Sequence, residues 1–100
     1  MLVHGINIDA GEVAAFCAKH GVARLSLFGS IVREDFGPES DVDVLVEFPP
    51  QAQVGLFRLG RMQQELSEMF GRRVDLHEPE TLSRHFRGEV MKDAAVQYAA

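Results

Sequence analysis

A single cysteine excludes an intrachain disulfide, which leaves a reducing compartment as the default. No run of residues is apolar for long enough to cross a bilayer as a helix. The opening MLVHGINIDAGEV lacks the basic start and apolar stretch of a signal peptide. A cytoplasmic protein with no membrane partner is the expectation. A basic surplus is missing too: 10 lysines and arginines stand against 15 aspartates and glutamates, a formal net charge of −5. Such a surface has little with which to neutralise phosphates over a long stretch, so direct nucleic-acid binding is not expected. Internal repeats, low-complexity tracts and linkers are absent as well.

What remains is an ordinary globular composition, 46% apolar and 25% charged over 100 residues, which argues against disorder. A chain of this length makes one domain, residues 1–100, with little room for inserted loops. The spacing predicts a first helix over 9–20, with Asp9 as N-cap, Glu12 three residues on and Gly21 as the stop. Val13, Phe16 and Cys17 share its inner face. A short strand follows over 23–28. Residues 41–48 alternate, with Val42, Val44 and Val46 on one face and Asp41, Asp43, Leu45 and Glu47 on the other. Pro49-Pro50 ends that strand.

From 55 to 70 the period becomes helical, with Leu56, Leu59, Met62, Leu66 and Met69 forming a stripe closed by Gly71. Residues 72–77 read as a third strand, Val74 and Leu76 facing one way and Arg73, Asp75 and His77 the other. Pro79 suits the first turn of a short helix. A last helix is predicted over 88–98, from Phe86, Val90, Ala94 and Tyr98 at one-turn spacing. The order implies an α+β (α/β sandwich) fold: a small mixed β-sheet flanked by helices.

The informative stretch is Leu27-Phe28-Gly29-Ser30, ten residues, then Asp41-Val42-Asp43. Asp41 and Asp43 are two apart on a strand and leave the same face. Two such carboxylates repel by roughly 4 kcal/mol at about 4 Å and an effective dielectric near 20. Mg²⁺ resolves the conflict, since it takes one or two carboxylates together with substrate phosphates. Gly29 lets an anion approach the backbone, and Ser30 adds a donor where a turn starting at Ile31 aims N–H groups. Gly37-Pro38-Glu39-Ser40 can turn the chain back towards this point. If the third strand pairs beside the second, Asp75 becomes a third carboxylate. The plainer readings are a turn and an exposed strand start for the Gly-Ser and Asp-x-Asp pair, and an Asp75 paired with Arg72 or Arg73.

The Gly29-Ser30-x10-Asp41-Val42-Asp43 pattern, followed by an apolar strand ending Val46-Glu47-Phe48, resembles the signature of the polymerase-β nucleotidyltransferase superfamily. It is most similar to the minimal (MNT) branch. The likeness continues through Gly55-Leu56-Phe57, Glu65-Leu66 and Gly71-Arg72-Arg73-Val74-Asp75-Leu76, over about residues 20–98. The resemblance implies a polymerase-β-like core that moves AMP from ATP to a hydroxyl. Asp41, Asp43 and Asp75 would be its catalytic and metal-binding residues, with Mg²⁺ (Mn²⁺ as an alternative). Gly29 and Ser30 would grip the phosphates, and Arg33 matches a basic position that often follows the Gly-Ser pair. Ile31 departs from the pattern, since many relatives carry arginine there.

The same branch implies an antitoxin whose partner is a HEPN-domain ribonuclease toxin, silenced by AMP on a tyrosine. A non-catalytic antitoxin that occludes the toxin, and a small-molecule nucleotidyltransferase, are the alternatives. Outside the signature, Cys17 reads as a core residue and His20 as a helix-end residue favoured by the dipole. His4, His20, His77 and His85 show no metal-ligand spacing. His77 shares a strand face with Asp75, although a strand-end histidine is commonly just solvated.

Overall fold

The valine alternation at residues 42–47 sets the architecture, because one strand face must be dry for it to persist. In the computed structural model, which describes residues 2–33 and 35–100, Val42, Val44 and Val46 are fully buried. Each fully buried aliphatic side chain contributes roughly 1.5–3 kcal/mol relative to leaving it exposed. A hairpin opens the chain, β1 (Leu2–Val3) and β2 (Ile6–Asn7), and is followed by α1 (Ala10–His20), β3 (Arg24–Phe28) and β4 (Val42–Glu47). Then come α2 (Leu56–Phe70), β5 (Val74–His77), α3 (Arg84–Asp93) and β6 (Ala95–Ala99). The four longer strands form one mixed sheet in the order β5-β4-β3-β6, with β4 and β5 parallel and the other pairs antiparallel.

One sheet face packs on α1 and α2. Val13, Phe16 and Cys17 meet Met62, Leu66 and Phe70 there, together with the three valines of β4. Burial pushes the Cys17 thiol up to about 11, which fits an inert core residue. Asp9 caps α1 by accepting from the Glu12 amide at 2.9 Å, and Gly21 and Gly71 close α1 and α2. The two helices are also tied through Glu65, which accepts from Lys19 Nζ at 2.8 Å and meets His20 Nε2 at 2.7 Å. His20 is buried at the end of α1, its ring 4.7 Å from that of Phe16. The other sheet face carries a smaller apolar cluster, in which Phe28 and Leu45 are covered by Leu82 and by Val90 of α3.

The structure corrects three expectations. The last helix is α3, over 84–93 rather than 88–98, because Ser83 accepts from the Phe86 amide and starts it earlier. Residues 95–99 then form β6 on the open edge of β3, so Tyr98 packs on the main core from a strand. The unpaired ladder of a central strand outweighs the modest helix propensity of the alanines there. In the α2 stripe, Leu56 is 86% exposed and belongs to the surface, whereas Phe70 is buried. The N-terminal hairpin was not foreseen: its turn is His4-Gly5, both at positive φ, as a two-residue hairpin requires. No helix among the described residues is long and apolar enough to cross a membrane.

Candidate active site

Strand register assembles the site. Phe28 lies opposite Asp43 in the β3–β4 pair, and in the parallel β4–β5 pair Asp43 lies opposite Asp75 and Leu45 opposite His77. Residues two apart on a strand share a face. Asp43, Asp75 and His77 therefore stand together on the face away from α1 and α2. His77 Nε2 is 3.2 Å from Asp75 Oδ2 and 3.7 Å from Asp43 Oδ1, and its ring meets that of Phe28 edge-on at 5.2 Å. One donor atom from each of the three residues lies within 4.8 Å of the others. The neighbouring Asp43 carboxylate raises the His77 pKa above its ordinary value; burial opposes the shift and the Asp75 charge supports it.

Asp41 stands apart from this trio. It precedes β4, and its Oδ2 is 3.8 Å from Arg73 Nε, both side chains being well exposed. Arg72 takes neither aspartate: it donates to the Gly37 carbonyl and lies over the Phe36 ring, 4.7 Å from its centroid. The proposed pairing of Asp75 with Arg72 or Arg73 is thus replaced by Asp75 with His77. The histidine was recognisable in the sequence only through its strand parity with Asp75.

Gly29 opens a short helical turn, Gly29–Val32, directly after β3. Its φ is +74°, and a Cβ placed there would sit 2.3 Å from Asp43 Oδ2. Glycine is therefore needed to let the Asp43 carboxylate pack against the turn, a different neighbour from the phosphate that the sequence suggested. Ser30 follows, half-buried, while Ile31 is buried in the main core. That burial explains why an apolar side chain stands where arginine was expected. Arg33 is exposed, 3.2 Å from Asp35 Oδ1. The Gly37–Ser40 turn forms as expected, with the Gly37 amide donating to Ser40 Oγ at 2.9 Å.

Two clefts flank the trio. One, of about 390 Å³, runs from Phe28, Gly29 and Arg33 to Phe86 and Val90 on α3. The other, of about 450 Å³, is lined by Asp75 and His77 of β5 and by Leu56, Leu59 and Gly60 of α2. Both fall in the size range of small-molecule sites.

The nucleotidyltransferase domain family matches residues 13–97, and the chain belongs to it. A Methanocaldococcus jannaschii protein, provisionally named protein adenylyltransferase MJ0435, is 39% identical over 71 residues, 71% of this chain and 74% of that protein. A solved structure provisionally described as a minimal nucleotidyltransferase is 32% identical, with a TM-score of 0.71 over 85% of each chain. At 15% identity, a chain from the structure of a tri-AMPylated Shewanella oneidensis HEPN toxin in complex with MNT antitoxin shares the fold. Its TM-score is 0.67, with 91% of this chain and 70% of that chain covered. The protein is a nucleotidyltransferase of mixed α/β fold.

Proposed function

We propose that the protein transfers AMP from Mg-ATP to a hydroxyl of a partner protein, a tyrosine of a cognate HEPN ribonuclease, and so acts as that toxin's antitoxin. The observation that carries this reading is the pairing of Asp43 with Asp75 across β4 and β5, with the Asp43 carboxylate against the Gly29 turn. Paired carboxylates suit a hard divalent cation carrying a triphosphate. The His77 nitrogen in the same cluster is also compatible with Mn²⁺. Asp43 and Asp75 would hold the cation, with Asp41 reaching it once released from Arg73. When bound, the metal supplies charge stabilisation for the entering and departing oxygens.

The chain's own residues do the rest. Gly29 and Ser30 present the turn backbone and a hydroxyl to the phosphates, and Arg33, released from Asp35, adds a cation. Asp75 accepts the proton of the incoming hydroxyl. The hydroxyl oxygen bonds to the α-phosphorus as the bond from that phosphorus to the β-bridging oxygen breaks. Pyrophosphate leaves with the electron pair. Catalysis is mainly position and charge.

A protein acceptor is favoured over a small molecule by the α2 entrance. Leu56 and Phe57 are 86% and 95% exposed, beside the cleft that holds Asp75. Apolar side chains so exposed suit a partner surface. The net charge of −5 suits a basic ribonuclease and keeps the protein away from nucleic acid itself. Both the family and the absence of a membrane-crossing helix among the described residues are compatible with a cytoplasmic antitoxin.

The test incubates the protein with Mg-ATP and a HEPN partner, then reads intact mass and RNase activity from one sample. Wild type should add one or more AMP units and release pyrophosphate, with RNase activity falling only as the mass rises. Asp75→Asn should still bind the partner and leave its mass unchanged. Equal silencing by wild type and Asp75→Asn, with no mass change in either, would replace the enzyme by an occluding binder.

A further inference from the structure

We infer that the cleft between α3 and the Gly29–Arg33 turn is the subsite for the nucleotide base, with Phe86 as its stacking wall. The inference rests on the nucleotidyltransferase reading and assigns a part of the substrate that the carboxylates do not touch. Three observations carry it. The cleft begins at Phe28 and Gly29, and Gly29 abuts the Asp43 carboxylate, so it opens directly from the place where the phosphates are held. Its far side carries Phe86, 49% exposed. An aromatic ring in this position can stack on any base, because every base has a π-face.

The third observation is charge. Glu89 and Asp93 also line the cleft, two carboxylates against the single cation Arg33, which belongs to the phosphate side. Their carboxylates repel a polyphosphate and leave the space to the uncharged end of the nucleotide. The same carboxylates can accept N–H groups from a base edge. The cleft on the other side of the trio is lined by Asp75, His77, Leu56 and Leu59, with no phenylalanine, tyrosine or tryptophan in its lining, which suits the incoming acceptor. Nucleotide and acceptor then approach the cluster from opposite sides, as in-line displacement requires.

The experiment compares calorimetric affinities for Mg-ATP and for Mg-tripolyphosphate, which has the phosphates without the base. Wild type, Phe86→Ala and Phe86→Leu are measured, the leucine variant keeping apolar bulk without a π-face, and melts check that each remains folded. Loss of one stacked ring should weaken ATP about tenfold in both variants and leave tripolyphosphate unchanged. Unaltered ATP binding by both variants overturns the inference, and so does equal weakening of the two ligands. If wild type binds tripolyphosphate no more weakly than ATP, the base makes no contribution and the inference fails while the phosphate site stands. If wild type binds neither, the nucleotidyltransferase reading fails and takes the subsite with it.

Discussion

The two faces of β4 are built from the same six residues to opposite ends. On one face Val42, Val44 and Val46 are fully buried against the helices. On the other, Asp43 is partly exposed between Gly29, Asp75 and His77, with Leu45 buried beyond it. The valine face gains stability from every neighbour. The aspartate face gathers carboxylates that repel one another, a repulsion that His77 between them eases and a bound cation would ease further. One strand therefore separates what holds the fold from what the proposed function puts to chemical use, at a spacing of one residue.

The sharpest break of that contrast is a pair of adjacent substitutions. Val44→Asp places an unpaired carboxylate in the dry face and should cost several kcal/mol, a large part of the ~5–15 kcal/mol of a typical domain. Asp43→Asn should melt within about 0.5 kcal/mol of wild type without metal, since it relieves repulsion. It should also lose the stabilisation that Mg-ATP gives wild type, about 2.7 kcal/mol at a hundredfold excess over Kd. Thermal melts with EDTA and with Mg-ATP read all of this. If Asp43→Asn melts as low as Val44→Asp in EDTA, the two faces are not separate.

Gly29→Ala tests where the faces meet. A Cβ there adopts a left-handed φ, at about 1–2 kcal/mol, and collides with Asp43 Oδ2. Melting should fall by that amount, while calorimetric Mg-ATP binding should be lost. Retained binding would show that Asp43 need not pack against the turn.

The smallest effect concerns a carboxylate on the helix side, away from the site. Glu65 on the helix side is held below the usual carboxylate range, first by its bond to Lys19 and then by His20. A lowered folded-state pKa stabilises above the unfolded value near 4.5 and loses that contribution as pH falls through the folded value. Glu65 is partly exposed and its pairs are screened by solvent, so the contribution is at most about 1 kcal/mol. Wild type should exceed Glu65→Gln in chemical-denaturation stability at pH 7, and the gap should close in acid. A gap that widens on acidification would reverse the assignment.

Much of this contrast was legible in the sequence. The valine alternation of β4, the Asp9 cap and the Gly-Ser turn are local signals, and each stands where its spacing put it. Strand β6 was not legible, since residues 95–99 are strand only because β3 offers an open edge. Leu56 matched the helical stripe by period yet projects beyond the sheet. His77 was visible by parity, but its place beside Asp43 depends on the parallel β4–β5 register, which no local pattern specifies. Phe86 was read only as one of a one-turn series with Val90, Ala94 and Tyr98; it stands half exposed over a cleft, on a helix that starts four residues earlier than the spacing suggested.

The parallel pairing of β4 with β5 has a consequence for the order of folding. Asp43 and Asp75 become neighbours only after the chain has crossed over through α2, a connection that must close before its contacts stabilise anything. The β3–β4 pairing is more local and can form without it. A partly folded chain with that hairpin alone would carry the Gly-Ser turn and the first two aspartates but lack the third. The complete cluster therefore requires the β4–β5 pairing, and under the proposed function metal-nucleotide binding would serve as a kinetic probe of that step.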